Sequence, residues 1–346
     1  MNLDELLNKE DLNREEIVFL LGLNDITDQQ KLFKKADYIR SIYCGNEVHL
    51  RGIIDFSNYC GENCLYCGLR KENISLSRFR MPAEEIIATA HIISNLGIHT
   101  IVLQSGEDSY YDTDLIAYII YQIKQNTGAA ITLSLGEREF DEYREWKIAG
   151  ADRYLMKHET ANPNLYSILH TKQKLEDRLS HLRFLKSIGY QIGSGNMIGL
   201  PFQTLEDIAD DILLCKGLDL DMAAFGPFLP SPDTPLHNKQ PESVDLILKT
   251  MAVARILLKN VHIPATTALA TLYDDGRIKG LNVGANVVMQ DLTPNPYRGQ
   301  YQIYPDRKCI SDDPMNCKGC LQLQIESIGR SIANSRGDSL KMNHSE

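Results

Sequence analysis

The sequence predicts an α/β protein: a complete (β/α)8 barrel of the TIM type, with a helical extension at its N-terminus and a cysteine-bearing segment at its C-terminus. Eight short runs rich in apolar and β-branched residues lie between residues 48 and 292, and helix-like stretches separate them. The length of 346 residues suits one such barrel with terminal additions. An open, doubly wound sheet is the alternative, but eight is the strand number that closes a barrel.

Residues 1–46 read as helices packing on the barrel. Asn13 precedes a helical run and Glu16 stands three residues on, the pattern of a capping box. In DQQKLFKKADYIRSIYC, residues Leu32, Phe33, Ala36, Ile39 and Ile42 recur at helical spacing. The barrel is assigned to residues 47–325. Its predicted strands are 48–56, 100–106, 130–136, 153–159, 191–199, 221–228, 263–270 and 286–292. Gly97, Gly150 and Gly189 each end a helical stretch just before a strand, where a left-handed cap favours glycine. Residues 326–346 are polar and are expected to form a flexible tail.

A net charge of −10 disfavours a nucleic-acid partner. No apolar run approaches the ~20 residues of a membrane span. The opening MNLDELLNKEDLNREE lacks the basic start and apolar centre of a secretory leader, so the chain is expected to be cytoplasmic. Clustered thiols in such a chain suggest metal ligands, not disulfides. Of the eight cysteines, three lie within Cys60–Cys67 and three within Cys309–Cys320, leaving Cys44 and Cys215 as isolated small residues.

Cys60-x3-Cys64-x2-Cys67 directly follows the first predicted strand, in SNYCGENCLYCGLR. Three thiolates this close on one loop can converge on one centre. Structural zinc is closed by four ligands, and no fourth stands nearby. A 4Fe–4S cluster held by three cysteines keeps one iron open. Cys309-x7-Cys317-x2-Cys320 suits a second metal or Fe–S centre.

The first motif, with the aromatic Tyr66 before its last cysteine, resembles the radical S-adenosylmethionine (SAM) superfamily. The resemblance implies that SAM chelates the open iron through its amino and carboxylate groups. Reduction of the cluster, by a donor such as ferredoxin or flavodoxin, then cleaves SAM to methionine and a 5′-deoxyadenosyl radical. It implies that Tyr66 packs near the adenine and that Gly106 lets the backbone approach the methionine amino group, whose charge Glu107 holds. Ser134 would assist, Glu159 would bind the ribose hydroxyls, Arg178 would hold the methionine carboxylate, and Ile198 would touch the adenine.

At a finer level, segments such as TIVLQSGED, DRYLMKHETANP, FGPFLPSPDTPL, IPATTALAT and NPYRGQYQIYP resemble the HydE-type maturases of the FeFe-hydrogenase H-cluster, from about residue 30 to 325. Methylornithine synthase, a radical mutase acting on lysine, shares the architecture and is the alternative enzyme. A non-catalytic Fe–S scaffold is the alternative of another class; Gly106, Glu107, Glu159 and Arg178 speak against it. The HydE resemblance implies a closed cavity for a small anionic or organometallic ligand, with Thr132, Arg153, Thr266, Thr267, Met289 and Tyr301 as floor and walls. Alternation along a strand predicts that only one of Thr266 and Thr267 faces the lumen. The product would feed assembly of the diiron subcluster, with other maturation proteins as potential partners. The Cys309/Cys317/Cys320 centre, as 2Fe–2S or 4Fe–4S, would be accessory to that chemistry.

Overall fold

Alternation of short apolar strands with amphipathic helices builds the molecule. The computed structural model describes residues 1–239, 242–308 and 314–341. Helices α1 (Leu3–Leu6), α2 (Arg14–Leu21) and α3 (Ile26–Cys44) precede the barrel. The barrel runs β1 (Glu47–Ser57), α4 (Ala83–Asn95), β2 (Thr100–Ser105), α5 (Thr113–Thr127), β3 (Ala130–Ser134), α6 (Phe140–Ala149) and β4 (Arg153–Leu155). It continues through α7 (Pro163–Leu169), α8 (Leu175–Ser187), β5 (Gln191–Ile198), α9 (Leu205–Gly217), β6 (Met222–Pro227), α10 (Val244–Leu258) and β7 (Pro264–Ala265). Next come α11 (Thr267–Leu272), α12 (Gly276–Asn282), β8 (Val287–Asp291), α13 (Tyr297–Gln300), α14 (Pro314–Ser327) and β9 (Ser331–Ile332).

The parallel ladders run β6-β5-β4-β3-β2-β1-β8-β7. Closure between β6 and β7 comes from a parallel bridge joining Met222 and His262. There the Ala223 N–H donates to the His262 carbonyl at 2.9 Å, and the His262 N–H donates to the Asp221 carbonyl at 3.0 Å. The predicted (β/α)8 barrel is therefore formed. Ile54, Leu103, Ile131 and Leu133 of the strands share one core with Ile93, Ile120 and Trp146 of the helices. A sheet covered on its outer face and filled within must read as apolar runs, which is why the strands were visible in the sequence.

Local signals hold. Asn13 Oδ1 accepts from the Glu16 N–H while Glu16 Oε2 accepts from the Asn13 N–H, both at 3.0 Å, completing the capping box. Gly97, Gly150 and Gly189 all take positive φ, at 73°, 117° and 87°.

Two strands, β4 and β7, are shorter than predicted by more than two residues. At β7, Thr266 Oγ1 accepts from the Leu269 N–H at 3.2 Å, so the hydroxyl caps α11 and turns the chain out of the sheet. β4 stops at Leu155, and Glu159 takes the left-handed conformation at φ 64°. It is held there by β5: its N–H donates to the Gly195 carbonyl, and its carbonyl accepts from the Met197 N–H, each at 3.0 Å.

The tail also departs from expectation. β9 pairs in parallel with the start of β1, with Glu47 opposite Ser331. Beyond it, Asp338 Oδ1 accepts from Arg153 Nη2 at 2.7 Å, and the His262 ring meets the Asp338 carbonyl at 3.0 Å. Polar composition suggested a loose end, but these polar groups find partners on the N-terminal rim of the barrel, which residues 331–341 cover.

Candidate active site

Cys60, Cys64 and Cys67 are free, half-buried thiols on the loop leaving β1. Three backbone tethers set that loop over the barrel mouth. The N–H groups of Gly61, Leu65 and Gly68 donate to the carbonyls of Glu107, Leu169 and Ile303 at 2.9, 3.0 and 3.0 Å. Glycine is obligatory at Gly106, where a Cβ would lie 2.2 Å from the Tyr59 carbonyl oxygen and 2.8 Å from Cys60 Cβ. Burial, with Cys60 close by, pushes the Cys67 thiol up to about 12. Burial and both neighbouring cysteines also raise Cys64. Three sulfurs that resist ionisation together need a strongly cationic partner to become thiolates. Among the described residues, no group of three His, Cys, Asp or Glu side chains closes on a single ion. Three buried thiols on one loop fit a 4Fe–4S cluster that keeps one iron open.

Beside the loop stands an acid–base network. Arg178 Nε lies 2.7 Å from Glu137 Oε1 and donates to Tyr166 Oη at 3.3 Å. Its Nη2 donates to Gln173 Oε1 at 3.0 Å and lies 3.9 Å from Glu107 Oε1. Glu107 also accepts from Gln173 Nε2 and from the Glu137 N–H, both at 3.2 Å. Burial pushes the Glu107 carboxyl up to about 6 despite Arg178. Glu159 is buried too, which would raise it, but Lys157, at 3.0 Å, holds it below its ordinary value. A cation and carboxylates spaced this way can receive the carboxylate and ammonium ends of an amino acid.

Below the loop lies a cavity of about 340 Å³, whose lining includes Tyr66, Cys67, Gln104, Lys157, Glu159, Thr266, Thr267, Met289, Tyr304 and Arg307. Arg307 reaches down from the segment after α13. Its Nη2 donates to Asp55 Oδ2 at 2.9 Å and to Asp291 Oδ2 at 3.0 Å, while Gln104 Nε2 donates to Asp55 Oδ1 at 2.9 Å. Burial pushes Asp55 up to about 7, with Arg307 pulling down and Asp291 pushing up.

The structure thus gathers Tyr66, Gly106, Glu107, Glu159 and Arg178 around the cysteine loop, and Ser134 ends β3 on the same side. Ile198 does not join them. It lies in the main core, while Met197 lines the cavity and packs with Phe228 and Tyr66, because neighbouring strand residues face opposite ways. Both Thr266 and Thr267 line the cavity, since the cap and first turn of α11 replace strand alternation. Tyr301 is buried beneath Arg307 Nη1, which donates to its carbonyl at 2.6 Å. Arg153 is not at the cavity: Thr100 Oγ1, Gln191 Oε1 and Asp338 occupy its guanidinium at the opposite end. Thr132 lines a floor void of about 10 Å³ there, with Arg51 and Arg153. Cys320 is exposed on α14, and Cys309 lies outside the described residues. Sequence reading did not single out Glu137, Lys157, Gln173, Asp55, Asp291 or Arg307. These residues lie in scattered loops and strand ends with no common spacing.

The fold and site define a class, and comparison with known proteins agrees. Residues 54–215 match the model of the radical SAM superfamily. The chain is 49% identical over 326 residues, 94% of its length and 93% of the relative's, to the "[FeFe] hydrogenase maturase subunit HydE" of Thermotoga maritima. It is 32% identical to 3-methylornithine synthase of Methanosarcina acetivorans, over 81% of this chain and 80% of that one. The crystal structure of methylornithine synthase (PylB) superimposes with a TM-score of 0.84 at 27% identity, covering 96% of this chain and 97% of that one. The chain is a radical SAM enzyme and belongs to the HydE family. No helix among the described residues is long and apolar enough to cross a membrane.

Proposed function

We propose that this protein is a maturase of FeFe-hydrogenase, acting on a small anionic or iron-bearing precursor during assembly of the diiron subcluster. The relation to a HydE maturase subunit at 49% identity across nearly the whole chain carries the reading. The cluster, held by Cys60, Cys64 and Cys67, supplies when bound the electron that cleaves SAM reductively. In this reading Glu107, Arg178 and Glu159 orient SAM, and Tyr66 flanks its adenine. Lys157, Thr266, Thr267 and Met289 contact the precursor from the cavity wall. The mostly apolar, closed barrel keeps water from a reactive radical. Cys309, Cys317 and Cys320 hold a second Fe–S centre accessory to catalysis. A small acidic electron carrier of the ferredoxin or flavodoxin kind, other maturation proteins and a cytoplasmic location complete the proposal.

The test is maturation of apo-hydrogenase with and without the anaerobically reconstituted protein. Hydrogenase activity should depend on its presence, and equal activity in both samples rejects the function. The fold match to methylornithine synthase supports a second reading, a mutase acting on lysine. Incubation with lysine, SAM and reductant, followed by mass spectrometry, decides between them, with no methylornithine expected.

A further inference from the structure

We propose that His170 donates a hydrogen bond from Nδ1 to the sulfur of Cys64 and thereby raises the reduction potential of the cluster. The inference rests on the reading of Cys60, Cys64 and Cys67 as cluster ligands.

α7 ends at Leu169, and His170 is its C-cap, with its N–H bonded to the Tyr166 carbonyl at 2.9 Å. From there the imidazole Nδ1 lies 3.3 Å from Cys64 Sγ. The adjacent Leu169 carbonyl accepts from the Leu65 N–H at 3.0 Å. Residues 64 and 65 are therefore tied at two successive points to the end of α7. The ring cannot drift from this contact: it stacks on Tyr166 with centroids 4.4 Å apart and planes at 18°, and it meets the Tyr66 ring edge-on at 5.8 Å. Tyr166 is in turn fixed by Arg178 through its hydroxyl.

Chemistry assigns the direction of the bond. A cysteine that ligates iron is a thiolate with no proton to give, so the shared hydrogen sits on Nδ1. Reduction adds negative charge to the cluster and its sulfurs, and a donor aimed at one sulfur stabilises the reduced state more than the oxidised one. His170 thus acts through Cys64 as a positioning residue.

The experiment is a potentiometric titration, followed by EPR, of the anaerobically reconstituted full-length protein. The signal that changes on adding SAM identifies the cluster in question. His170→Leu removes the donor, whereas His170→Asn keeps an amide N–H near the position of Nδ1. The expected result is a lower midpoint potential in H170L at unchanged iron per chain, with H170N restored toward wild type. An H170L midpoint equal to wild type overturns the inference. So does an equal fall in both variants, which points to lost packing. If the wild-type chain assembles no SAM-responsive cluster, the reading of the cysteines fails, and this inference with it.

Discussion

The two ends of the barrel use the same residue types for opposite purposes. At the C-terminal mouth, Lys157, Glu159 and Arg307 line open space, a cavity of about 340 Å³. At the N-terminal end, Arg51, Arg153 and His262 surround almost none, a void of about 10 Å³, with room for a single water at most. The chain's own tail fills that end: Arg336 Nη2 donates to Asp152 Oδ1 at 2.7 Å, and Asp338 takes Arg153. The contrast teaches that a buried arginine marks a binding site only where open space remains beside it, since arginines at both ends are engaged by the chain itself.

Substitutions at the two ends should differ in their effect on SAM cleavage and in the size of their effect on stability. The largest effect is expected at the mouth. Cys64→Ser removes one of the three proposed cluster ligands, so 5′-deoxyadenosine, measured by chromatography after reduction with SAM, should fall to background. Arg307→Leu leaves Asp55 and Asp291 buried beside each other without a cation. A loss of about 3–5 kcal/mol in urea unfolding is expected, and a smaller loss would show that water enters the mouth to solvate them.

Protonation sharpens the comparison. The Asp55 carboxyl is raised in the folded protein, from 3.8 to about 7. Its protonated form therefore favours folding, with the benefit complete below about pH 3.8 and lost as pH rises through 7. Unfolding measured across that window should show wild type losing stability relative to Asp55→Asn by more than about 1.4 kcal/mol, the equivalent of one pKa unit. Parallel curves would show that Asp55 is ionised throughout.

The smallest effect belongs to the floor. Asp338→Ala removes a half-exposed partner of Arg153, with an expected cost of about 1 kcal/mol and no change in SAM cleavage. A drop in cleavage would mean that the sealed end communicates with the mouth.

Much of this architecture was legible before any coordinates. The strands stood out because burial on both faces leaves little room for polar residues, and Gly97, Gly150 and Gly189 marked helix ends because each needs positive φ. The cysteine loop was legible because its three cysteines lie within eight residues. Thr266, by contrast, reads as a strand threonine, and only its bond to the Leu269 N–H reveals the cap. Arg153 looked like a cavity residue because a strand arginine must be paired, yet nothing local said that the partner lay 185 positions away in Asp338.

By itself, then, the sequence determined the strand count, the helix caps and the closely spaced thiols, since each depends on residues within one or two turns of chain. Only the tertiary structure decided which charges face free space. Arg178 meets Glu137 and Arg307 meets Asp55 and Asp291 because barrel closure brings distant loops together, and Arg153 is spent because the tail folds back beneath the floor. Pairings such as Arg307 with Asp55, 252 positions apart, leave no periodicity behind, and the energy that fixes them exists only once the barrel has closed.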